Sequence, residues 1–147
     1  MNRVHFISTG SERETPQRFF DELDREFHFE RDVCASRENF KVTAFWDEGD
    51  DALKQEWKGV LWMNPPYGRV IGTWLKKAWE SRATATTVCL IPTRTDTQWW
   101  HQYVLQADKL RFIKGRLKFQ REKDGAPFPS AIVIFGLGRL EENRGRT

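Results

Sequence analysis

Residues 60–68 read Val-Leu-Trp-Met-Asn-Pro-Pro-Tyr-Gly, and the junction between the apolar half and the proline-bearing half decides the fold. An unbroken run of large apolar residues from Val60 to Met63 predicts a strand buried on both faces, as in the interior of an α/β sheet. Proline lacks the amide hydrogen that a central ladder needs, so the chain leaves the sheet at Asn64. Asn64 is thereby delivered to the carboxyl end of a strand, where open α/β sheets hold their ligands.

Working outward, the flanks alternate. Downstream, Ile71, Trp74, Leu75, Ala78 and Trp79 recur at helical spacing between Val70 and Arg82, with Lys76, Lys77 and Arg82 off that stripe. Thr86 to Ile91 reads as the next strand, ended by Pro92, and Asp96 is placed to cap a helix running to about Gln106. Leu110 to Ile113, Leu117 to Phe119 and Ala131 to Phe135 supply further strands. Upstream, Thr15 suits a helix cap and Pro16 the first helical position, with Phe19, Phe20, Leu23 and Phe27 on one side of the helix that follows. Arg31 to Ala35 is a short strand, and Ser36 to Asp51 an irregular connection holding Phe40, Val42, Phe45 and Trp46. The expected architecture is one α/β domain over 14–137, with a mixed, mostly parallel sheet and flanking helices, a polar arm over 1–13 and a polar, frayed tail over 138–147.

The chemistry starts at Asn64-Pro65-Pro66-Tyr67. With the backbone fixed by two prolines, the Asn64 amide oxygen and the Pro65 carbonyl can face one point, beside the flat ring of Tyr67. A planar amine fills such a site: two N–H donors meet two acceptors and the ring system stacks on the tyrosine. Adenine's exocyclic amino group is that amine. Acceptors on both hydrogens favour the pyramidal nitrogen that forms as the amine attacks, so orientation rather than a strong base carries the rate. The plain alternatives are a turn after a strand, or a polyproline segment that docks on a partner.

The chain has 147 residues, a net charge of +3 and two cysteines. That length suits one domain and leaves little for a separate recognition domain. Cys34 and Cys89 sit in apolar runs and read as reduced, buried thiols of a cytoplasmic protein, while His5, His28 and His101 lack ligand spacing, so no metal site is expected. There is no apolar span of membrane length and no signal peptide. Charge is uneven, with 8 Lys and Arg against 14 Asp and Glu in residues 1–57, and 16 against 7 in residues 58–147. The second part is the better surface for phosphates.

Several motifs stand in one order: Glu14-Thr15-Pro16, Asp32-Val33-Cys34-Ala35-Ser36, Asn64 to Gly68, Trp74 with Lys77-Ala78, Leu90-Ile91-Pro92 with Arg94 to Thr97, Gly115 to Phe119, and Ala126 to Ala131. On these the chain resembles the phage-type, Dam-like DNA adenine-N6 methyltransferases. The resemblance implies an abridged, Rossmann-like methyltransferase fold, S-adenosylmethionine as cofactor, a flipped-out adenine in DNA as substrate, and the bacterial host cytoplasm as location. It makes Asn64, Pro65, Pro66 and Tyr67 catalytic. Thr15, Pro16, Asp32, Val33, Cys34 and Ala35 would hold the cofactor together with Asn64, and Asp51, or Asp50, would accept from the cofactor's adenine amine. Asp32 is the strongest of these, because a carboxylate complements a sulfonium and an ammonium.

No glycine-rich loop follows the first strand, and Asp32 to Asn64 is too short for two more strands and a helix; Asp47 is a candidate for the ribose. Arg69, Arg94, Arg116 and Lys118 are candidates for DNA, the last two also readable as a solvated hairpin. Trp57, Trp62, Trp74 and Trp79 read as packing. A monomer or a homodimer fits. Cytosine or RNA as the acceptor, or an inactive DNA-binding domain on the same scaffold, are the competing functions.

Overall fold

The computed structural model describes residues 14–118 and 128–144. Helix α1 (Gln17–Phe27) leads to β1 (Arg31–Asp32), and after a long connection come β2 (Gly59–Met63), α2 (Ile71–Glu80) and β3 (Ala85–Pro92). A short helix α3 (Gln98–Gln102), β4 (Lys109–Phe112), β5 (Ser130–Phe135) and α4 (Leu137–Arg144) complete the chain. The strands form one sheet in the order β1-β2-β3-β5-β4. β1, β2 and β3 pair in parallel, while β5 runs against both β3 and β4. Four strands therefore share one direction and β5 opposes them.

Every residue of β3 and β5 is buried, and only Gly59 of β2 is not, as expected for strands covered on both faces. Helix α1 buries Phe20, Leu23 and Phe27. Phe20 meets the Trp62 ring edge-on at 5.3 Å and stacks with Phe29 at 5.4 Å, which locks the helix over β2. Helix α2 buries Ile71, Trp74, Leu75 and Ala78 and supplies the crossover between two parallel strands. Trp57, Trp62 and Trp74 are buried, with Trp79 packed at the margin of the core.

Several local expectations are corrected. β1 ends at Asp32 rather than Ala35. The chain beyond it still bonds to both sides, Val33 N–H to the Trp62 carbonyl and Ala35 N–H to that of Trp46, both at 3.0 Å. Residues 44–46 turn back along the outer side of β1, bridging at Phe45, so the irregular connection covers that edge. Helix α3 is short and is capped by Thr97, not Asp96: Thr97 Oγ1 accepts from Trp100 N–H at 3.3 Å and donates to the Arg94 carbonyl at 2.7 Å. Leu117 and Lys118 are not in a strand, and Phe119 lies outside the described residues. Of the tail expected to fray, residues 138–144 belong to α4, which is joined to Asp108, whose carboxylate accepts from Leu137 N–H at 2.8 Å, and residues 145–147 lie outside the described residues. The arm over 1–13 lies outside the described residues.

Candidate active site

Three segments leave the carboxyl ends of β1, β2 and β3 side by side: 33–35, 64–68 and 93–97. In the middle one Asn64, Pro65, Pro66 and Tyr67 are all buried. Gly68 then turns out to solvent at φ +104°, a conformation that side chains disfavour, and Arg69 is exposed.

Asn64 is held from both ends of its amide. Its Nδ2 donates to Thr15 Oγ1 at 3.2 Å, and its Oδ1 accepts from the Tyr67 hydroxyl at 3.1 Å. The same hydroxyl stands 3.3 Å from the Leu90 carbonyl oxygen, so its single proton lies between two acceptors. Thr15 is only 1% exposed, Asn64 8% and Tyr67 9%. This corrects the capping assignment at the start of α1. Pro16 occupies the N-cap and no side chain caps the helix, because the Thr15 hydroxyl is engaged by Asn64. Tyr67 is likewise a buried wall rather than a presented platform.

Asp32 lies 2% exposed beside this group. Its Oδ1 accepts from Cys34 N–H at 3.2 Å and its Oδ2 from Lys41 N–H at 3.0 Å. These amides favour the carboxylate, yet loss of water outweighs them and pushes the group up to about 7. Burial likewise raises the Cys34 thiol, which the Asp32 charge raises further. Cys34 is an inert lining group rather than a nucleophile.

A cleft joins these residues, lined by Glu14, Thr15, Asp32, Cys34, Asn39, Lys41, Trp62 and Asn64. Of the residues expected to hold a cofactor, Thr15, Asp32, Cys34 and Asn64 line it. Val33 and Ala35 are buried beside it and Pro16 caps α1. Asp51 does not line it: it sits at φ 52° between two 3-10 turns, with its carboxylate 3.5 Å from the Lys54 ammonium. Asp50 and Asp47 close a reciprocal cap on the first of those turns, Asp47 Oδ1 accepting from Gly49 N–H and Asp50 Oδ2 from Asp47 N–H. Asp47 and Asp50 are thus engaged in this cap, whereas the Asp51 side chain makes no cap hydrogen bond.

On the other side of Tyr67 the ring of Phe128 stands edge-on at 5.6 Å, and the Arg94 guanidinium lies over Phe128 at 5.5 Å. The contact is supported by the backbone, since Thr93 N–H donates to the Pro129 carbonyl at 2.9 Å. Arg94 is thus one ring away from Tyr67, whereas Arg116 and Lys118 are exposed on the segment beyond β4. Sequence reading did not place Phe128, Glu14, Asn39, Lys41 or the Leu90 carbonyl in the site. For Phe128 the signal was its place in a motif; a main-chain carbonyl gives none.

Known proteins add an independent finding. A family model described as DNA N-6-adenine-methyltransferase (Dam) matches residues 7–136. The DNA N-6-adenine-methyltransferase of Haemophilus phage HP1 (strain HP1c1) is 29% identical over 131 residues, covering 82% of this chain and 76% of that protein. No helix among the described residues is long and apolar enough to cross a membrane.

Proposed function

Since the chain belongs to the DNA N-6-adenine-methyltransferase (Dam) family, we propose that it moves a methyl group from S-adenosylmethionine to the N6 amine of an adenine in DNA. The observation that carries the reading is the coupling of Asn64 and Tyr67, at the carboxyl end of β2, to a cleft bearing a buried carboxylate. The reversed strand β5 beside β3 and the loops gathered at one sheet edge support an abridged, Rossmann-like methyltransferase fold.

The lining of the cleft sets two carboxyl groups, Glu14 and Asp32, against one cation, Lys41, a set that suits a donor bearing a sulfonium, an ammonium and a carboxylate. A buried carboxylate that is hard to ionise alone gains most from a nearby cation. When bound, S-adenosylmethionine supplies an electrophilic methyl on a sulfonium. Asp32 and Glu14 would balance the positive charge, and Cys34 and Trp62 would exclude water.

Asn64 Oδ1 and the Pro65 carbonyl accept the hydrogens of the target amine in this mechanism. The Tyr67 proton does not bar the amine from Oδ1, because Leu90 offers it a second acceptor at 3.3 Å. The base leaves the duplex to reach so buried a loop, and Tyr67 with Phe128 forms the aromatic wall that receives it. Arg94, with Arg69, Arg116 and Lys118, serves the DNA backbone. In the transfer an N6–C bond would replace the S–C bond of the donor, whose electron pair would stay on sulfur, and the surplus N6 proton would leave to solvent once the methylated base departs from the Asn64 and Pro65 oxygens.

Incubating the protein with DNA and isotope-labelled donor, followed by nucleoside mass spectrometry, tests the reading. Labelled N6-methyladenine supports it. Labelled N4-methylcytosine, label in RNA alone, or DNA binding without transfer would each replace it with one of the competing functions.

A further inference from the structure

β4 is the outermost strand of the sheet, paired with β5 so that Lys109 lies opposite Ile134 and Phe112 opposite Ala131. Side chains alternate along a strand, which sets Lys109 and Arg111 on one face and Leu110 and Phe112 on the other. Arg111 is engaged on its own face: its guanidinium donates to the Glu26 carboxylate of α1 at 2.8 Å and lies over the Phe27 ring. Leu110 packs at the margin of the core. Phe112 does not follow it inward. Its side chain is 69% exposed, more than any other large apolar residue among the described residues.

A single exposed apolar side chain is common and by itself means little. Its surroundings set this one apart. β4 runs in the same direction as β2 and β3, so Phe112 stands at the end of the sheet where Asn64 leaves β2. Its partner Ala131 follows shortly after Phe128, whose ring meets Tyr67. The run 109–118 carries the cations Lys109, Arg111, Lys114, Arg116 and Lys118 and no carboxylate, and Lys114, Arg116 and Lys118 are exposed. An exposed ring set in an unrelieved basic run is complementary to DNA, with cations for phosphates and a flat apolar face for a stack of bases. Distance then limits its role. Three strand spacings of about 4.8 Å separate β2 from β4, which puts the ring out of reach of an amine held at Asn64 and leaves it the duplex from which that base came.

We propose that Phe112 is a wedge for duplex DNA: its ring enters the base stack beside the extruded adenine, while Lys114, Arg116 and Lys118 meet the phosphates. The role rests on the methyltransferase reading above and adds to it a residue that acts on the opening of the duplex rather than on methyl transfer. A wedge matters only where there is a stack to open, so its loss penalises paired DNA more than unpaired DNA.

The test compares kcat/KM for N6-methyladenine formation from labelled donor on one plasmid DNA, native and heat-denatured, for the wild type, Phe112→Ala and Phe112→Trp. The expected result is a native-to-denatured ratio about tenfold lower in the alanine variant, the scale of a lost aromatic stack on a base, with tryptophan, which keeps a flat ring, holding the wild-type ratio. An unchanged ratio in the alanine variant, whether both rates hold or both fall alike, overturns the wedge, as does a tryptophan variant no better than alanine. If denatured DNA is no substrate, negatively supercoiled against relaxed plasmid makes the same comparison, because underwinding favours opening: a stronger dependence on supercoiling in the alanine variant supports the wedge and an equal one overturns it. Should alanine lower the melting temperature, Phe112→Gln replaces it with the same outcomes. Sedimentation of the free protein adds one more: loss of a dimer in Phe112→Ala would assign the ring to a contact between copies and overturn the wedge. A wild-type chain that makes no N6-methyladenine on any of these DNAs overturns the activity and the wedge with it, whereas wild-type turnover with an unchanged ratio overturns the wedge alone.

Discussion

If Asp32 holds the donor's cationic end as proposed, donor binding is expected to strengthen as pH rises. Its carboxyl is 2% exposed and is pushed up to about 7 by burial. A cationic donor needs the carboxylate, so the donor binds by driving a proton off Asp32, and its affinity falls as pH falls through that value. With a group that titrates near 7, roughly a tenth is ionised at about pH 6 and roughly nine-tenths at about pH 8, so the apparent Kd improves about tenfold across that window. Calorimetric titration of the protein with S-adenosylmethionine, in two buffers of different ionisation enthalpy, measures both the affinity and the proton released. Asp32→Asn is the control: the ligand's own amine titrates equally in both proteins, so the difference between them isolates Asp32. The donor-free protein gives a second check. Because the folded carboxyl is raised above its unfolded value, the contribution of Asp32 to stability is full below about pH 4, is lost as pH rises to about 7, and is constant above that. An affinity that is flat from pH 6 to 8, or that changes identically in Asp32→Asn, would refute the assignment of Asp32 to the donor's cationic end.

Other outcomes follow from the same geometry. Asn64→Ala is expected to lower transfer by about a hundredfold or more while donor affinity, read by calorimetry, changes far less; equal losses in both would contradict the division between Asn64 and Asp32. Tyr67→Phe should cost about 1 kcal/mol of stability, the value of one neutral hydrogen bond, and Tyr67→Ala about 3–5 kcal/mol with a larger loss of kcat, since it also removes the ring that meets Phe128; urea unfolding and turnover together rank them, and a worse phenylalanine variant would disprove the aromatic-wall role. Arg94→Ala should reduce the slope of log affinity for DNA against log salt by about one, and Arg94→Lys should keep that slope; an unchanged slope in the alanine variant means that Arg94 meets no phosphate. Gly136→Ala should destabilise the fold by about 1–3 kcal/mol, because the residue sits at φ +80° with its would-be Cβ against the Ala85 carbonyl, and an unshifted melting temperature would contradict that.

The frame of the fold was legible because it rests on runs of apolar side chains. Val60 to Met63 and Thr86 to Ile91 have no polar alternation, and the stripes of α1 and α2 recur at a helical period, so burial alone defines them. What escaped reading was settled by pairings between distant segments. Thr15 has the chemistry of a helix cap, but Asn64 claims its hydroxyl. The outer side of β1 is covered by residues 44–46, a pairing between backbones that leaves no mark in residue type. Thr97 prevailed over Asp96 as a cap because its hydroxyl both accepts from Trp100 and donates to Arg94. The polar tail forms α4 because Asp108, an otherwise unremarked residue, accepts the Leu137 amide. Asn64 and Tyr67 are singled out by their motif, whereas their junction with Thr15 and the Leu90 carbonyl emerges only once the sheet is assembled.

The place of β5 has a consequence for biosynthesis. This strand follows both β3 and β4 in the chain, yet it lies between them, so a ribosome finishes both neighbours before the strand that joins them exists. Until Ser130–Phe135 has emerged, β3 displays an open edge and β4 has no partner. Phe128, just ahead of β5, is missing from its place beside Tyr67 for the same interval. The wall formed by Tyr67 and Phe128 therefore closes only after β4 has been made, together with the pairing of β3 to β4 through β5.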